Sequence, residues 1–301
     1  MVVVPEIFAN ILNVSVPDGS GEVIAPLVRA AVAALGAAGD IAWLSQGRAF
    51  DIGFLGKPAS VKAAAIAAAE GAACDINVVS AERRRKKLLV ADMDSTIISC
   101  ECLDELADQA GLKPHIAAIT ERAMRGEIAF EAALRERVAM LKGLELAALE
   151  RTFRERVKLN PGARVLVATM KAQGARTCLV SGGFSYFTER VAREADFDDQ
   201  QANVLLDDGS ALTGFVREPI LGREAKLAAL ESEVATLGID FEDALAVGDG
   251  ANDLAMIQRA GLGVAYHAKP VVAEAAGASI VHGDLTALLY LQGYCENEIV
   301  R

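Results

Sequence analysis

Asp92 and Asp94 stand one residue apart at the end of the apolar run Leu88–Ala91, in the stretch KKLLVADMDST. Carboxylates at i and i+2 of a strand project to the same side. Acids at the end of a buried strand require a metal, a partner or a task. Ser181, Gly182 and Gly183 follow another apolar run in LVSGGF, and Asp249, Asn252 and Asp253 follow a third in VGDGAND. A carboxylate from Asp249 or Asp253, added to the first two, completes an oxygen-rich site for a hard cation such as Mg2+. Without a cation, such crowded carboxylates raise one another's pKa and take up protons. The SGG turn is expected to open a helix, where backbone N–H groups and a hydroxyl meet the positive end of the dipole and suit an anion such as phosphate. Lys226, on a predicted helix after ILGRE, adds positive charge to that anion. Together these groups describe phosphoryl transfer, which runs largely on positioning and charge neutralisation. A carboxylate can also serve as its nucleophile.

Taken singly, each group has a plainer meaning. A D-x-D can cap a helix, SGG can be a simple turn, GDGAND can be a turn or a calcium loop, and a lysine can be a surface residue. Their order, each at the end of an apolar run, sets the combination apart. Other chemistries lack their marks: there is no G-x-x-x-x-G-K-[ST], GDGAND and GLGVAY lack the third glycine of a dinucleotide fingerprint, and His115, His267 and His282 sit in no G-x-S-x-G context.

The elements that must position these residues follow from the same runs. KLLVADMD, ARTCLVSGG, DALAVGDGAND and AGLGVAY alternate with helix-like segments, which predicts an α/β, Rossmann-like core with a parallel sheet covered on both faces. In such sheets, sites form beyond the carboxyl ends of the strands. Residues 101–155 read as four helices broken by glycines, LDELADQAG, AAITERAMRG, AFEAALRERVAML and ELAALERTFRERV, and suit a helical cap inserted after the first strand of that core. Residues 202–221 read as a β-hairpin turning at Asp208-Gly209.

Residues 1–82 alternate differently, with strands around Ala9–Val16, across Ile41–Phe54 and at CDINVV, and helices over Glu22–Ala38 and Ser60–Ala73. This βαββαβ order predicts an α+β, ferredoxin-like unit that resembles an ACT-like regulatory or oligomerisation domain, and by that analogy a homodimer. The basic run at 83–87, RRRKK, reads as a solvated linker, leaving 88–301 as the catalytic part.

A net charge of −11 argues against a nucleic-acid-binding surface. The first basic residue is Arg29, Glu6 interrupts the first apolar run, and no apolar segment approaches a membrane span. A cytoplasmic protein with no membrane partner is therefore expected. The five cysteines, in an odd number and without C-x-x-C spacing, suggest neither a disulfide framework nor zinc.

DMDST, LVSGGF, Lys226 and VGDGANDLAMI resemble the four ordered motifs of the haloacid dehalogenase-like superfamily, and Leu88 to about Ala287 resembles its phosphoserine phosphatases. The resemblance implies Mg2+-dependent hydrolysis of phosphoserine through an aspartyl-phosphate, the last step of serine biosynthesis. Asp92 would be the nucleophile and Asp94 the general acid and base. Asp92, the backbone carbonyl of Asp94 and Asp249 would hold Mg2+, with Asp253 supporting the shell. Ser181, Gly182, Asn252 and Lys226 would hold the phosphate. In the cap, Glu101 would meet the substrate ammonium and Arg137 its carboxylate, with Met124 and Phe130 as apolar lid contacts. Arg137 lies among Glu131, Arg135 and Glu136, so without the resemblance it reads first as part of a surface salt-bridge ladder. Two alternatives stand beside this reading: a related enzyme acting on another small phosphate ester, and an amino-acid-binding protein without turnover.

Overall fold

The computed structural model describes residues 8–124 and 127–301. Near its start, β1 (Asn10–Ser15), α1 (Gly21–Ala33), β2 (Ala42–Ser45), β3 (Ala49–Phe54), α2 (Pro58–Ala68) and β4 (Asp75–Ser80) follow the expected βαββαβ order. The strands form an antiparallel sheet ordered β2-β3-β1-β4. Period-two alternation divides its faces. Leu12, Val14, Phe50, Ile52 and Ile76 pack under Ile24, Val28 and Val32 of α1 and Val61 and Ala65 of α2. The first helix ends at Ala33 rather than Ala38, because the chain turns at Gly36 and Ala38 pairs with Phe54.

The other face of this sheet carries Asn13, Asp51, Asp75 and Asn77, all buried. Buried polar groups need partners, and these find them in the rest of the chain. Asp51 takes two hydrogen bonds from Arg84, at 2.5 and 2.9 Å, and one from Asn13 at 2.8 Å. Asp75 accepts the N–H groups of Val281, His282 and Gly283, and Asn77 bonds both the N–H and the carbonyl of Ser279.

The run expected as a solvated linker at 83–87 keeps Arg83, Arg85 and Lys87 exposed and also forms a seam. Arg83 pairs with Asp240, Arg85 with Glu298 and Lys87 with Asp243, while buried Lys86 donates to the carbonyls of Arg83 and Glu242. The run shows its charges in sequence, but their partners lie far along the chain.

The larger part begins with β5 (Leu88–Ala91), continuously apolar because it is buried on both faces. Helices α3 (Cys102–Gln109), α4 (Lys113–Met124), α5 (Phe130–Met140) and α6 (Leu146–Arg156) follow, then α7 (Ala163–Ala172), β6 (Arg176–Phe184), α8 (Ser185–Ala195) and β7 (Asp199–Asn203). A hairpin of β8 (Leu205–Asp207) and β9 (Leu212–Val216) leads to α9 (Arg223–Leu237), β10 (Ala244–Gly248) and α10 (Leu254–Arg259). The chain closes with β11 (Leu262–Tyr266), α11 (Pro270–Ala275), β12 (Ala278–Ile280) and α12 (Ala287–Leu291).

Six of these strands form a parallel sheet ordered β12-β11-β10-β5-β6-β7. Leu89 and Ala91 face a core with Leu166, Val191 and Leu288, which also takes in Ile11 and Val79 of the first unit. Leu88 and Val90 face the opposite core with Leu230, Met256 and Val272.

The expected cap is present as α3–α6. The hairpin is shorter than expected: Ala202 and Asn203 belong to β7, and the turn runs from Asp208 to Ala211. A two-stranded ribbon is marginal alone, and this one lies on the cap. Gly143 N–H donates to the Leu212 carbonyl and Leu146 N–H to that of Ser210. A Cβ at Gly214 would sit 2.9 Å from the Lys142 side chain, so only glycine permits the approach. Among the described residues, no helix is long and apolar enough to cross a membrane.

Candidate active site

After β5 the chain builds outward to β6 and β7, then returns to place β10 on the other side of β5. This reversal opens a crevice at the carboxyl ends of β5 and β10. Asp92 follows β5 and Asp249 follows β10, so the two acids flank the switch point. The Asp92 N–H donates to the Val247 carbonyl at 2.9 Å, which fixes the offset between the two strand ends.

Asp92, Asp249 and Asp253 bring one oxygen each within 4.8 Å of one another. Lys226, 2% exposed near the start of α9, lies 2.7 Å from Asp92 Oδ1 and 2.6 Å from Asp253 Oδ1. Burial and the charge of Asp253 push the Asp92 carboxyl well up, against the opposing pull of Lys226. Burial and Asp253 also raise Asp249. Burial disfavours the Lys226 ammonium, but Asp92 and Asp253 outweigh it and hold its pKa above the ordinary value. Three carboxylates with one cation leave negative charge uncompensated in a dry site, and their oxygens are the donors a hard cation takes. These residues fit Mg2+. Gly248 is required here, since a Cβ would lie 2.4 Å from the Asp253 carboxyl.

Asp94 departs from the expectation of two carboxylates on one strand. The strand ends at Ala91, and Asp94 lies in the turn that follows, with Ser95 next to it at φ +55°. Its carboxylate accepts from the Cys102 N–H at 2.9 Å and the Ser181 hydroxyl at 3.1 Å, and stands outside the acidic triad. A metal role for Asp94 is thereby left to its backbone carbonyl. Burial raises its pKa.

The SGG segment also differs from expectation. It does not open the helix: β6 runs on to Phe184 and α8 begins at Ser185. The pairing to β7 is regular at Val180–Gln201 and resumes only at Phe184–Asn203, so residues 181–183 bulge out of the ladder towards the crevice. Ser181 Oγ accepts from Gly183 N–H at 2.8 Å. A Cβ at Gly183 would fall 2.8 Å from Asp94, so glycine lets the turn close over that acid. Asn252 lies half-buried on the turn between Asp249 and Asp253, its amide oxygen against Gly250.

The cap supplies the other wall. Glu101, just before α3, accepts from the Ser95 hydroxyl at 2.7 Å; the residue is partly exposed, and desolvation of its carboxyl together with the charge of Asp94 pushes it up to about 7. Arg137 bonds the Ala133 carbonyl and the Thr120 hydroxyl, so the salt-bridge ladder read from its neighbours is not formed. Burial lowers its pKa, against the opposing charges of Asp104 and Glu101. Phe130 starts α5 and rests against both Gly182 and Gly222. The side chain of Met124 lies outside the described residues.

Three supporting residues carry no mark in the sequence strong enough to assign them. Thr96 Oγ1 donates to Asp249 Oδ1 at 3.1 Å, Ser95 holds Glu101, and Asn160 Nδ2 bonds the carbonyls of Thr96 and Ile98. Ser95 and Thr96 adjoin the D-x-D, which was their only signal. Asn160 lies 64 residues beyond Thr96.

Residues 89–258 match the haloacid dehalogenase-like hydrolase family. The chain is similar to the phosphoserine phosphatase of Polaromonas sp., 49% identical over 210 residues that make up 68% of this chain and 89% of that one. It is similar in structure to a probable phosphoserine phosphatase from Vibrio cholerae, with TM-score 0.78 and 30% identity over 99% of this chain and 90% of that one. A phospho-aspartyl intermediate analogue of phosphoserine phosphatase is similar at TM-score 0.63 and 38% identity, over 70% of this chain and 100% of the other.

Proposed function

Because the chain belongs to the haloacid dehalogenase-like hydrolase family, we propose that it hydrolyses O-phospho-L-serine to serine and phosphate through a phosphorylated Asp92. The observation that carries this reading is Glu101, bonded to Ser95 at the edge of a crevice that holds Asp92, Asp94, Ser181 and Lys226, with Arg137 on α5 of the same cap. An amino acid offers an ammonium and a carboxylate, and a carboxylate and a guanidinium are their complements. Relatives named phosphoserine phosphatases support the same substrate.

The Asp92 carboxylate attacks phosphorus, forming an O–P bond as the bond to the serine oxygen breaks. Asp94, whose pKa burial raises, acts as the acid and gives a proton to that departing oxygen. It then takes a proton from the water whose oxygen attacks phosphorus and releases Asp92. Lys226 favours the ionised form of Asp92 against burial and Asp253 and faces the phosphate charge, while Ser181, Gly182 and Asn252 hold the phosphate oxygens. Mg2+, held by Asp92, Asp249 and the Asp94 carbonyl with Asp253 in support, would neutralise charge on the transferring group. Phe130 and the cap exclude water that would drain the intermediate early.

The test is phosphate release from L-phosphoserine, D-phosphoserine, phosphothreonine, phosphoglycolate and a sugar phosphate, with Mg2+ or EDTA, by the wild type and Asp92→Asn. Preference for L-phosphoserine, lost with EDTA and with the substitution, is expected. Preference for another ester would sink the substrate assignment and keep the chemistry. No release from any ester would sink both.

A further inference from the structure

Asn203 ends β7 at the carboxyl edge of the main sheet and is 2% exposed. Its side-chain amide bonds main chain only. Nδ2 donates to the carbonyls of Gly182, at 2.9 Å, and Leu221, at 3.1 Å, while Oδ1 accepts from Leu221 N–H at 2.7 Å. Because residues 181–183 bulge out of the β6–β7 ladder, the half-buried Gly182 carbonyl has no β7 partner there and needs another donor. Asparagine carries donors and an acceptor on one short side chain, so it can satisfy that carbonyl and close the base of the β8–β9 hairpin together.

Both ends of this clamp meet the cap. A Cβ at Gly182 would lie 3.3 Å from the Phe130 ring, and one at Gly222, next to Leu221, would lie 3.4 Å from it. A single buried amide therefore fixes the two backbone surfaces on which Phe130 rests. The hairpin it closes is the same one that lies on the cap.

We propose that Asn203 is a positioning residue for the bound phosphate: it sets the Ser181–Gly183 bulge through the Gly182 carbonyl and, through Leu221, seats Phe130 against that bulge. This rests on reading Ser181 and Gly182 as the phosphate seat. Phosphate affinity and lid seating then depend on one side chain that touches neither substrate nor metal.

The experiment titrates the full chain with inorganic phosphate in the presence of Mg2+ and measures KM and kcat for phosphoserine and for an aryl phosphate. Asn203→Asp keeps the shape but turns an acceptor towards two carbonyls; it is expected to weaken phosphate binding about tenfold, or about 1.4 kcal/mol, and to raise KM for both esters. Asn203→Ser, which keeps one donor, is expected to weaken it about threefold and serves if the aspartate variant does not fold. Thr188→Ala removes a buried hydrogen bond to Gln200 of the same strand, away from the site, and is expected to lower stability while leaving phosphate affinity unchanged. A folded Asn203 variant with wild-type phosphate affinity would overturn the clamp alone. A wild type that binds no phosphate would overturn the reading of the site, and the clamp with it.

Discussion

Glu101 offers the sharpest test of substrate capture. Its carboxyl is pushed up to about 7 by desolvation and by the charge of Asp94, so it stays protonated well above the usual glutamate range. A protonated Glu101 cannot attract an ammonium, and a raised acid pKa means that attraction is lost as pH falls through about 7. The ionised fraction drops from about nine tenths at pH 8 to about one tenth at pH 6, which raises KM for phosphoserine about tenfold over that interval. In Glu101→Gln this pH dependence should vanish, and KM at about pH 8 should rise about tenfold to a hundredfold, as expected for losing a charge-assisted hydrogen bond. An aryl phosphate has no ammonium, so its KM should be nearly unaffected by the substitution. The assay is KM and kcat against pH for wild type and variant, with both substrates at saturating Mg2+. An aryl phosphate that suffers as much as phosphoserine, or a variant that keeps the wild-type pH profile of KM, would refute the assignment of Glu101 to the ammonium.

Replacing Lys226 by methionine leaves the Asp92 and Asp253 carboxylates without the cation 2.7 and 2.6 Å away; it should cost about 3 kcal/mol, seen as a lower melting temperature that Mg2+ partly restores. The wild type itself should melt higher with Mg2+ and fall back with EDTA, because a ligand bound only by the folded state stabilises it; no response at about 10 Kd of any divalent cation tested would count against the acidic triad as a metal site. Thr96→Val removes the hydroxyl bonded to Asp249 and should weaken Mg2+ affinity about tenfold in a titration, as losses behind a metal ligand do. Arg84→Ala strands Asp51, whose side chain is 2% exposed, and should cost about 3–5 kcal/mol by denaturant unfolding while kcat is retained, since Arg84 enters at the opposite end of β5 from the site.

Much of this protein was legible in the sequence because its signals are local. Leu88–Ala91 reads as a buried strand from composition alone, and the acids after it and after Ala244–Gly248 are displaced from the core by the chain's own periodicity. The four cap helices and the βαββαβ order of the first unit follow from spacing and from glycine breaks. Nothing local says that β10 returns beside β5, yet that reversal is what brings Asp249 and Asp253 to Asp92 and sets Lys226 between them. The same limit hid the partners of the basic run, since Asp51 lies 33 residues before Arg84 and Asp240 lies 157 after Arg83. Strand pairing decided the rest: a bulge in β6, invisible without β7, turned the SGG segment from a helix start into a curved strand end and gave Asn203 and Asp94 their contacts. Periodicity and turn chemistry act between neighbours in the chain and can be read from it. Partners of buried charges and carbonyls are chosen by which segments pack together, and only the folded molecule fixes that choice.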